Sequence, residues 1–394
     1  MFSHRVPADL TRNRLTRTIA ELRASGRSIV DLTATNPTSA GFAYPHDLLM
    51  PLASAQALEY RPDPFGTREA RAAVADDYAR RGIAIPPDRI VLTASTSDAY
   101  ATLFKLLADA GDEVLIPRPS YPLFDHLASL DLVVTRGYDL DVHGAWAIDF
   151  ASLERALTPR TKAVLVVSPN NPTGSFVAAA DLDRLADICA ARDIAIVADE
   201  VFADYELEPG AAAGAGRAAG VTRALTFALG GLSKSIGLPQ VKLGWIAVAG
   251  PDRLARAALE RLELICDTYL SVSTPVQLAV PTLLARGAAV REQIARRVAA
   301  NYTWLQSAAS ASPSCRVLRA EGGWSAVVQV PTLESEEALV LGLLTTAGVL
   351  AHPGYFFDFA RESYLVVSLI TPEAVFRDGV DRILRHVACR MVAR

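Results

Sequence analysis

Lysine is scarce in this chain, and its placement carries information. Lys105, Lys162, Lys234 and Lys242 are four of 39 basic residues, and all the others are arginine. Two of the four fall within residues 228–248, ALGGLSKSIGLPQVKLGWIAV, an apolar run punctuated by glycine. A guanidinium keeps its proton, whereas an amine can lose it and attack a carbonyl. Lysine written inside such a run, in a chain that otherwise writes arginine, therefore makes Lys234 a candidate nucleophile. On this stretch alone, a solvated loop lysine is the competing reading.

Two other turns carry reactive or ligand-binding groups. Ser168 to Gly174 reads SPNNPTG, and Asp199-Glu200-Val201-Phe202 places two adjacent carboxylates. Each follows a short uninterrupted apolar run, 163–167 and 194–198, just as the Lys234 stretch follows 224–228. A fourth run, 90–93, feeds Ser95-Thr96-Ser97-Asp98, a helix-opening cluster of capping residues. Short apolar strands at 90–93, 113–116, 132–135, 163–167, 194–198, 224–228 and 245–248 alternate with helical patterns at 95–110, 121–129, 149–157 and 181–192. That alternation predicts an α/β fold with a mostly parallel sheet covered by helices on both faces. In such sheets the carboxyl ends of the strands share one edge, where ligands gather. The amide of Asn171, the carboxylate of Asp199, the amine of Lys234 and the hydroxyls of Ser95, Thr96 and Ser97 would then converge. Together they can hold a phosphate, a ring nitrogen and an aldehyde at once, a set that describes pyridoxal 5'-phosphate.

The rest of the chain must position these groups. Leu15, Ile19 and Leu22 share helical spacing within an N-terminal arm, and 31–38 reads as a short strand entering an Asn-Pro turn. Helices are expected at 47–59 and 68–81, with a loop at 60–66 between them. The alanine- and glycine-rich segment 211–220 is expected to be a flexible surface loop. Residues 251–286 read as largely helical, and 287–307 as a helix leading into a second domain. Strand, helix and strand follow at 325–330, 336–347 and 364–369, and a last helix at 372–386. The expected division is an arm at 1–45, a large ligand-binding domain at 46–286 and a smaller α+β domain at 287–394.

Composition narrows the function. With 39 basic and 43 acidic residues scattered along 394, the net charge is −4, which suggests neither a nucleic acid nor an anionic membrane as partner. The four cysteines, Cys189, Cys266, Cys315 and Cys389, lie far apart and imply neither a disulfide framework nor a zinc site. His126, His143 and His352 form no metal-ligand spacing. The charged first 17 residues lack the apolar centre of a signal peptide, and no apolar run is long enough to span a bilayer. A cytoplasmic protein is expected.

Asn-Asn-Pro-Thr-Gly, Asp-Glu-Val-Phe and Ser-Lys-x-x-Gly-x-Pro-x-x-x-x-Gly-Trp, in this order and spacing, resemble the aspartate aminotransferase superfamily: pyridoxal phosphate enzymes of fold type I, class I/II. Singly, Asp199 also suits a strand cap, Asn171-Pro172 a turn and Tyr121 a core aromatic, but jointly the motifs favour the resemblance. It implies that Lys234 holds the cofactor as a Schiff base and later shuttles a proton, and that Asp199 pairs with the pyridine nitrogen. It further implies that Asn171 serves the phenolic oxygen and the substrate carboxylate. Tyr121 would stack on the ring. Ser95, Thr96, Ser97 and Ser233 would cradle the phosphate, and Tyr60 would reach the phosphate of a neighbouring subunit in a homodimer with shared sites.

The chain departs from the family pattern in three places. Lys242 stands where an arginine usually grips the phosphate, and Gly231 where many members have a serine, so the phosphate cup is expected to be weakened. Phe202 replaces a tyrosine that donates to the phenolic oxygen, which should raise the pKa of the lysine–cofactor linkage. Val366, or with a shifted alignment Tyr364 or Leu365, occupies the position of the arginine that binds the substrate α-carboxylate. Arg361 is the nearest candidate substitute, with Asn36 or Arg118 as helpers. The resemblance thus implies a ping-pong aminotransferase acting on a small amino donor and an oxo acceptor. A pyridoxal phosphate lyase, decarboxylase or cyclising enzyme is the alternative, and a non-catalytic regulator that binds the cofactor is a weaker one.

Overall fold

The computed structural model describes residues 2–142 and 144–392, so His143 lies outside the described residues. Eight strands form one sheet, in the order Ile90–Thr93, Gly244–Ala249, Thr226–Gly231, Ala195–Asp199, Thr161–Val167, Glu113–Arg118, Val134–Val142 and Trp146–Ile148. The five from Thr226–Gly231 to Val134–Val142 run parallel. Gly244–Ala249 is antiparallel to both of its neighbours, and Trp146–Ile148 folds back on Val134–Val142. Every residue of Thr226–Gly231 and Gly244–Ala249 is buried, which is why these segments are continuously apolar. Alternate side chains feed two separate cores. Phe227, Leu229, Ile246 and Val248 pack with Leu103, Phe104 and Leu262 on one face. Ala228, Trp245 and Ala247 pack with Val74, Tyr78 and Val280 on the other.

A second, antiparallel sheet follows the order Arg316–Val317, Ser325–Gln329, Tyr364–Ser368, His352–Pro353. Its core includes Val290, Leu305, Phe376 and Val387, and also Leu15, Leu32 and Phe42 from the start of the chain. Val30–Asp31 reinforces this association by pairing in parallel with Val349–Leu350. The 37-residue helix Thr274–Ser310 runs unbroken through positions 286 and 287 and contributes side chains to both cores. Among the described residues no helix is long and apolar enough to cross a membrane.

Five local expectations are corrected. Residues 47–59 form two short 3-10 turns, Met50–Ala53 and Ala55–Leu58, instead of a helix. Pro51 removes an amide at the first turn, and the Ser54 side chain accepts from Gln56 N to start the second. Segment 211–220 is an anchored loop: Ala212 N donates to Glu206, Gly216 N to Val177 O and Ala218 N to Glu200, while Ala218 is buried. Low side-chain complexity conceals this because backbone amides make the contacts. The 121–129 helix begins at Leu123, after Pro122, and the strand expected at 132–135 extends over Val134–Val142 as half of a hairpin. The helix at 336–347 changes at Leu343 into a π-helical turn.

One close approach positions the future site. Gly244 lies against the start of the helix Thr96–Leu107, so that a Cβ there would sit 2.8 Å from Ser95 C and 2.9 Å from Thr96 N. Backbone cannot yield as a flexible side chain can. Gly244→Ala is therefore expected to cost about 1–3 kcal/mol of stability, measurable as a lower urea midpoint with an unchanged slope. An unchanged midpoint would show that the helix start moves freely.

Candidate active site

The parallel strands deliver their reactive residues to one edge, as hydrogen-bonded neighbours. Val167 ends its strand in register with Asp199, and Asp199 in turn with Leu229, just ahead of Gly231 and the short helix Leu232–Ser235 that carries Lys234. A cavity of about 250 Å³ opens there. Its wall includes Ser95, Thr96, Ser97, Tyr121, Asn171, Asp199, Phe202, Ser233 and Lys234, nine of the residues singled out from the sequence. Thr35, Tyr100, Leu123, Phe124, Leu127, Val167, Val201, Trp324, Ser325 and Ser368 complete it.

One end of the cavity is built to receive an anion. The helix Thr96–Leu107 is capped by Ser95, whose Oγ accepts from Asp98 N at 3.1 Å. Asp98 returns the bond by accepting from Ala94 N at 2.9 Å. This leaves the amides of Thr96 and Ser97, and the hydroxyls of Thr96, Ser97 and Ser233, without partners among the described residues. Unpaired donors at the positive end of a helix suit a phosphate.

The centre holds the two titrating groups. Asp199 accepts from Tyr100 Oη at 3.1 Å and from Val201 N at 3.1 Å. Burial pushes its carboxyl up to about 6, and these two donors only partly offset that effect. Burial also lowers the Lys234 ammonium to about 8, opposed by the charge on Asp199. The Lys234 ammonium lies 4.8 Å from the Trp324 ring centre and 5.6 Å from that of Phe202, and 3.5 Å from Thr35 O. Asn171 Oδ1 accepts from Ser325 Oγ at 3.2 Å, and its Nδ2 has no protein partner. A desolvated amine, a buried carboxylate, a free amide N–H and an anion cup fit one flat ligand that carries an aldehyde, a basic ring nitrogen and a phosphate.

The backbone beneath Lys234 is clamped by groups that sequence motifs did not signal. Tyr205 is fully buried and its Oη donates to Lys234 O at 2.5 Å and lies 3.1 Å from Ser235 O. Arg291 Nε, from the long helix, donates to Ser235 O at 3.0 Å. Arg291 is itself paired with Asp77 at 3.0 Å and Asp204 at 3.5 Å. Trp324, which no motif marks, is a wall of the cavity. Tyr100 sits four residues beyond a recognised turn, so helical periodicity from Thr96 could have flagged it; nothing local marks Tyr205 or Arg291.

Other candidate residues lie outside the cavity. Lys242 adopts a left-handed backbone (φ 59°) and lines a separate surface groove with Pro64, Cys266, Tyr269 and Leu270. Tyr60 is exposed on the surface. Asn36 turns its side chain onto Thr38 N at 3.1 Å, and its neighbour Thr35 reaches the cavity instead. Arg361 is exposed on the loop before Tyr364, and Arg118 faces Asp358 at 3.8 Å. Val366 is buried among Trp146, Leu318, Val327 and Phe357.

Comparison with known proteins agrees with this chemistry along nearly the whole chain. The family model for aminotransferase class I and II matches residues 36–383. An alanine aminotransferase of Mycobacterium tuberculosis is 28% identical over 361 residues, covering 88% of this chain and 82% of that protein. The glutamate-pyruvate aminotransferase AlaA of Haemophilus influenzae is 26% identical over 375 residues, covering 93% and 92%. Among solved structures, alanine aminotransferase from Pyrococcus furiosus shares the fold with a TM-score of 0.88 at 22% identity, covering 98% of this chain and 100% of that one. Aspartate aminotransferase from Thermus thermophilus with maleate superposes with a TM-score of 0.81 at 25% identity, covering 98% and 99%. Because the match runs through every strand end that lines the cavity, the protein belongs to the class I and II aminotransferases and is an amino-group transferase.

Proposed function

We propose that the cavity binds pyridoxal 5'-phosphate and that Lys234 is the amine joined to it, in a ping-pong exchange between an amino compound and an oxo compound. The observation that carries this reading is a desolvated lysine facing a buried aspartate beside a helix start with unpaired donors. When bound, the cofactor supplies an aldehyde for the amino group and a ring that withdraws electrons from the reacting carbon.

The chain supplies the rest. The lowered pKa of Lys234 gives a usable fraction of neutral Nζ near neutral pH, able first to attack the aldehyde and later to carry a proton at the reacting carbon. Asp199, held by Tyr100 and Val201, offers a carboxylate to the ring nitrogen. Asn171 Nδ2 is free for the phenolic oxygen, and Tyr121, partly exposed at the cavity wall, is placed to cover the ring. Thr96, Ser97 and Ser233 donate to the phosphate. Tyr205 and Arg291 hold the Lys234 backbone while its side chain moves.

A homodimer fits the surface. Leu58, Tyr60, Leu264, Tyr269 and Leu270 are exposed large apolar side chains, and the last two border the groove that holds Lys242. Residues 1–45, 46–286 and 287–394 serve in this reading as arm, cofactor-binding body and C-terminal domain, the arm packing with the third part. The four cysteines are unpaired, in keeping with a reducing cytoplasm.

Three measurements test this reading. Wild-type protein mixed with the cofactor should turn yellow and lose that absorbance with borohydride. Lys234→Ala should bind without a reducible linkage and transfer amino groups at least about 10²-fold more slowly. A colourless wild type ends the proposal. The rate at which apoprotein couples to the cofactor should climb with pH and level off above about 8, where Lys234 has lost its proton. Continued climbing toward 10 would mean that Lys234 is an ordinary solvated lysine. Sedimentation at micromolar concentration should give the mass of two chains, and a single-chain mass would rule out shared sites.

A further inference from the structure

The part of the cavity wall contributed by the C-terminal sheet shows which amino compound fits, taking the Lys234 reading above as its basis. Thr35, Ser325, Ser368 and Trp324 line it, and the apolar helix residues Leu123, Phe124 and Leu127 form the adjoining wall. Both serine hydroxyls there already spend their protons inside the protein, which leaves the Thr35 side chain as the one hydroxyl of this wall without a partner among the described residues. Ser325 Oγ donates to Asn171 Oδ1 at 3.2 Å, Ser368 Oγ donates to Ala34 O, and Thr35 O accepts from Lys234 Nζ at 3.5 Å. Once its proton is spent, a serine hydroxyl offers only lone pairs. Ser325 and Ser368 are partners across the small sheet, so their lone pairs lie side by side. The next pair along the same strands, on the same face, is Val327 and Val366, buried with Trp146, Leu318 and Phe357.

This wall thus presents acceptors backed by hydrocarbon. Among the described residues, Lys234 is the one cation in the cavity lining, and Asp199 adds a negative charge. A substrate carboxylate here would meet lone pairs, a buried carboxylate and the bound phosphate, and would lose its hydration without gaining a counter-ion. A hydroxyl or amide N–H in the same place would find acceptors, and an apolar substituent would find Leu123, Phe124 and Leu127.

We propose that one of the two exchange partners is a primary amine without a carboxylate on its reacting carbon: an amino alcohol or amino amide with an apolar substituent, or the matching aldehyde. In balanced form, the amine gives up its nitrogen and a net three hydrogens and takes up one oxygen: the aldehyde oxygen of the cofactor leaves as water, one water supplies the carbonyl oxygen of the product, and the two electrons lost by the amine reduce the aldehyde carbon to an aminomethyl group; the acceptor reverses these steps.

Matched pairs test the proposal on the yellow holoenzyme: L-leucine against leucinol, L-phenylalanine against phenylalaninol, and L-alanine against alaninol. Conversion of the bound cofactor to its amine form is followed under single-turnover conditions. The alcohols of the two larger pairs should react at least about tenfold faster than their acids. Acids reacting equally fast or faster would overturn the proposal while leaving amino transfer intact. If no member of any pair reacts in unreduced holoenzyme, a separate sample of which is trapped by borohydride at Lys234, the transfer reading and this inference both fall. Ser368→Ala and Ser325→Ala, each checked for full cofactor content, should shrink the alcohol-to-acid ratio at least about threefold. A loss that affects acid and alcohol alike would mean that the serines only hold the sheet, and would remove them from recognition.

Discussion

The structure depends on taking a lysine and an aspartate out of water at the same edge of one sheet. Burial alone would neutralise both, raising the acid and lowering the amine. Here that tendency is stopped partway, with Asp199 near 6 and Lys234 near 8. At neutral pH the aspartate stays mostly charged, yet the amine has a usable neutral fraction. Two hydrogen bonds hold the carboxylate in its charged form, from Tyr100 and Val201. The ammonium is offered one long contact with a carbonyl and two aromatic faces, weak enough that its proton is easily lost.

Such a balance needs a backbone that does not drift. Asp77, Asp204 and Arg291, with the more exposed Arg80, form a linked set of ion pairs that ends on the carbonyl of Ser235. A buried ion pair seldom adds net stability compared with hydrocarbon, but it fixes geometry because each partner is costly to leave unpaired. Arg291 belongs to the helix that contributes to one core of the large sheet and to the core of the C-terminal sheet, so the placements of that sheet and of the lysine depend on the same helix. Trp324 makes the link from the other side: it packs on Tyr205 with ring centres 5.2 Å apart and faces Lys234 across the cavity.

The sequence was most legible where chemistry and strand ends coincide. Asn171, Asp199, Lys234 and the Ser95–Ser97 turn each follow an apolar run that can only be a doubly covered strand, so convergence followed from topology. Elements whose outcome rests on single backbone groups were less legible. Pro51 and Ser54 turn an apparently helical segment into 3-10 turns, and amide contacts anchor an alanine-rich loop that composition reads as mobile. Tyr205 and Arg291 escaped for a different reason. They act from distant positions through backbone carbonyls, and a carbonyl carries no residue type for a motif to record.

The anion cup follows from the same economy of charge. Lys242, the residue that sequence position assigned to the phosphate, turns into a surface groove, and Gly231 adds no hydroxyl. The donors that remain on the cavity side are neutral: two amides at a helix start and three hydroxyls. A helix terminus carries only a fraction of a positive charge, so such a cup satisfies phosphate oxygens by geometry more than by neutralisation. In the proposed reading Asp199 is matched by the ring nitrogen and Lys234 is joined to the cofactor, so among the described lining residues no cation is left to offset the phosphate. A site with that balance has little attraction to spare for a second anion. The hydrocarbon around Val366 and the acceptor wall of Ser325 and Ser368 are the local expression of that deficit, and they make the charge of the substrate a consequence of how the cofactor is held.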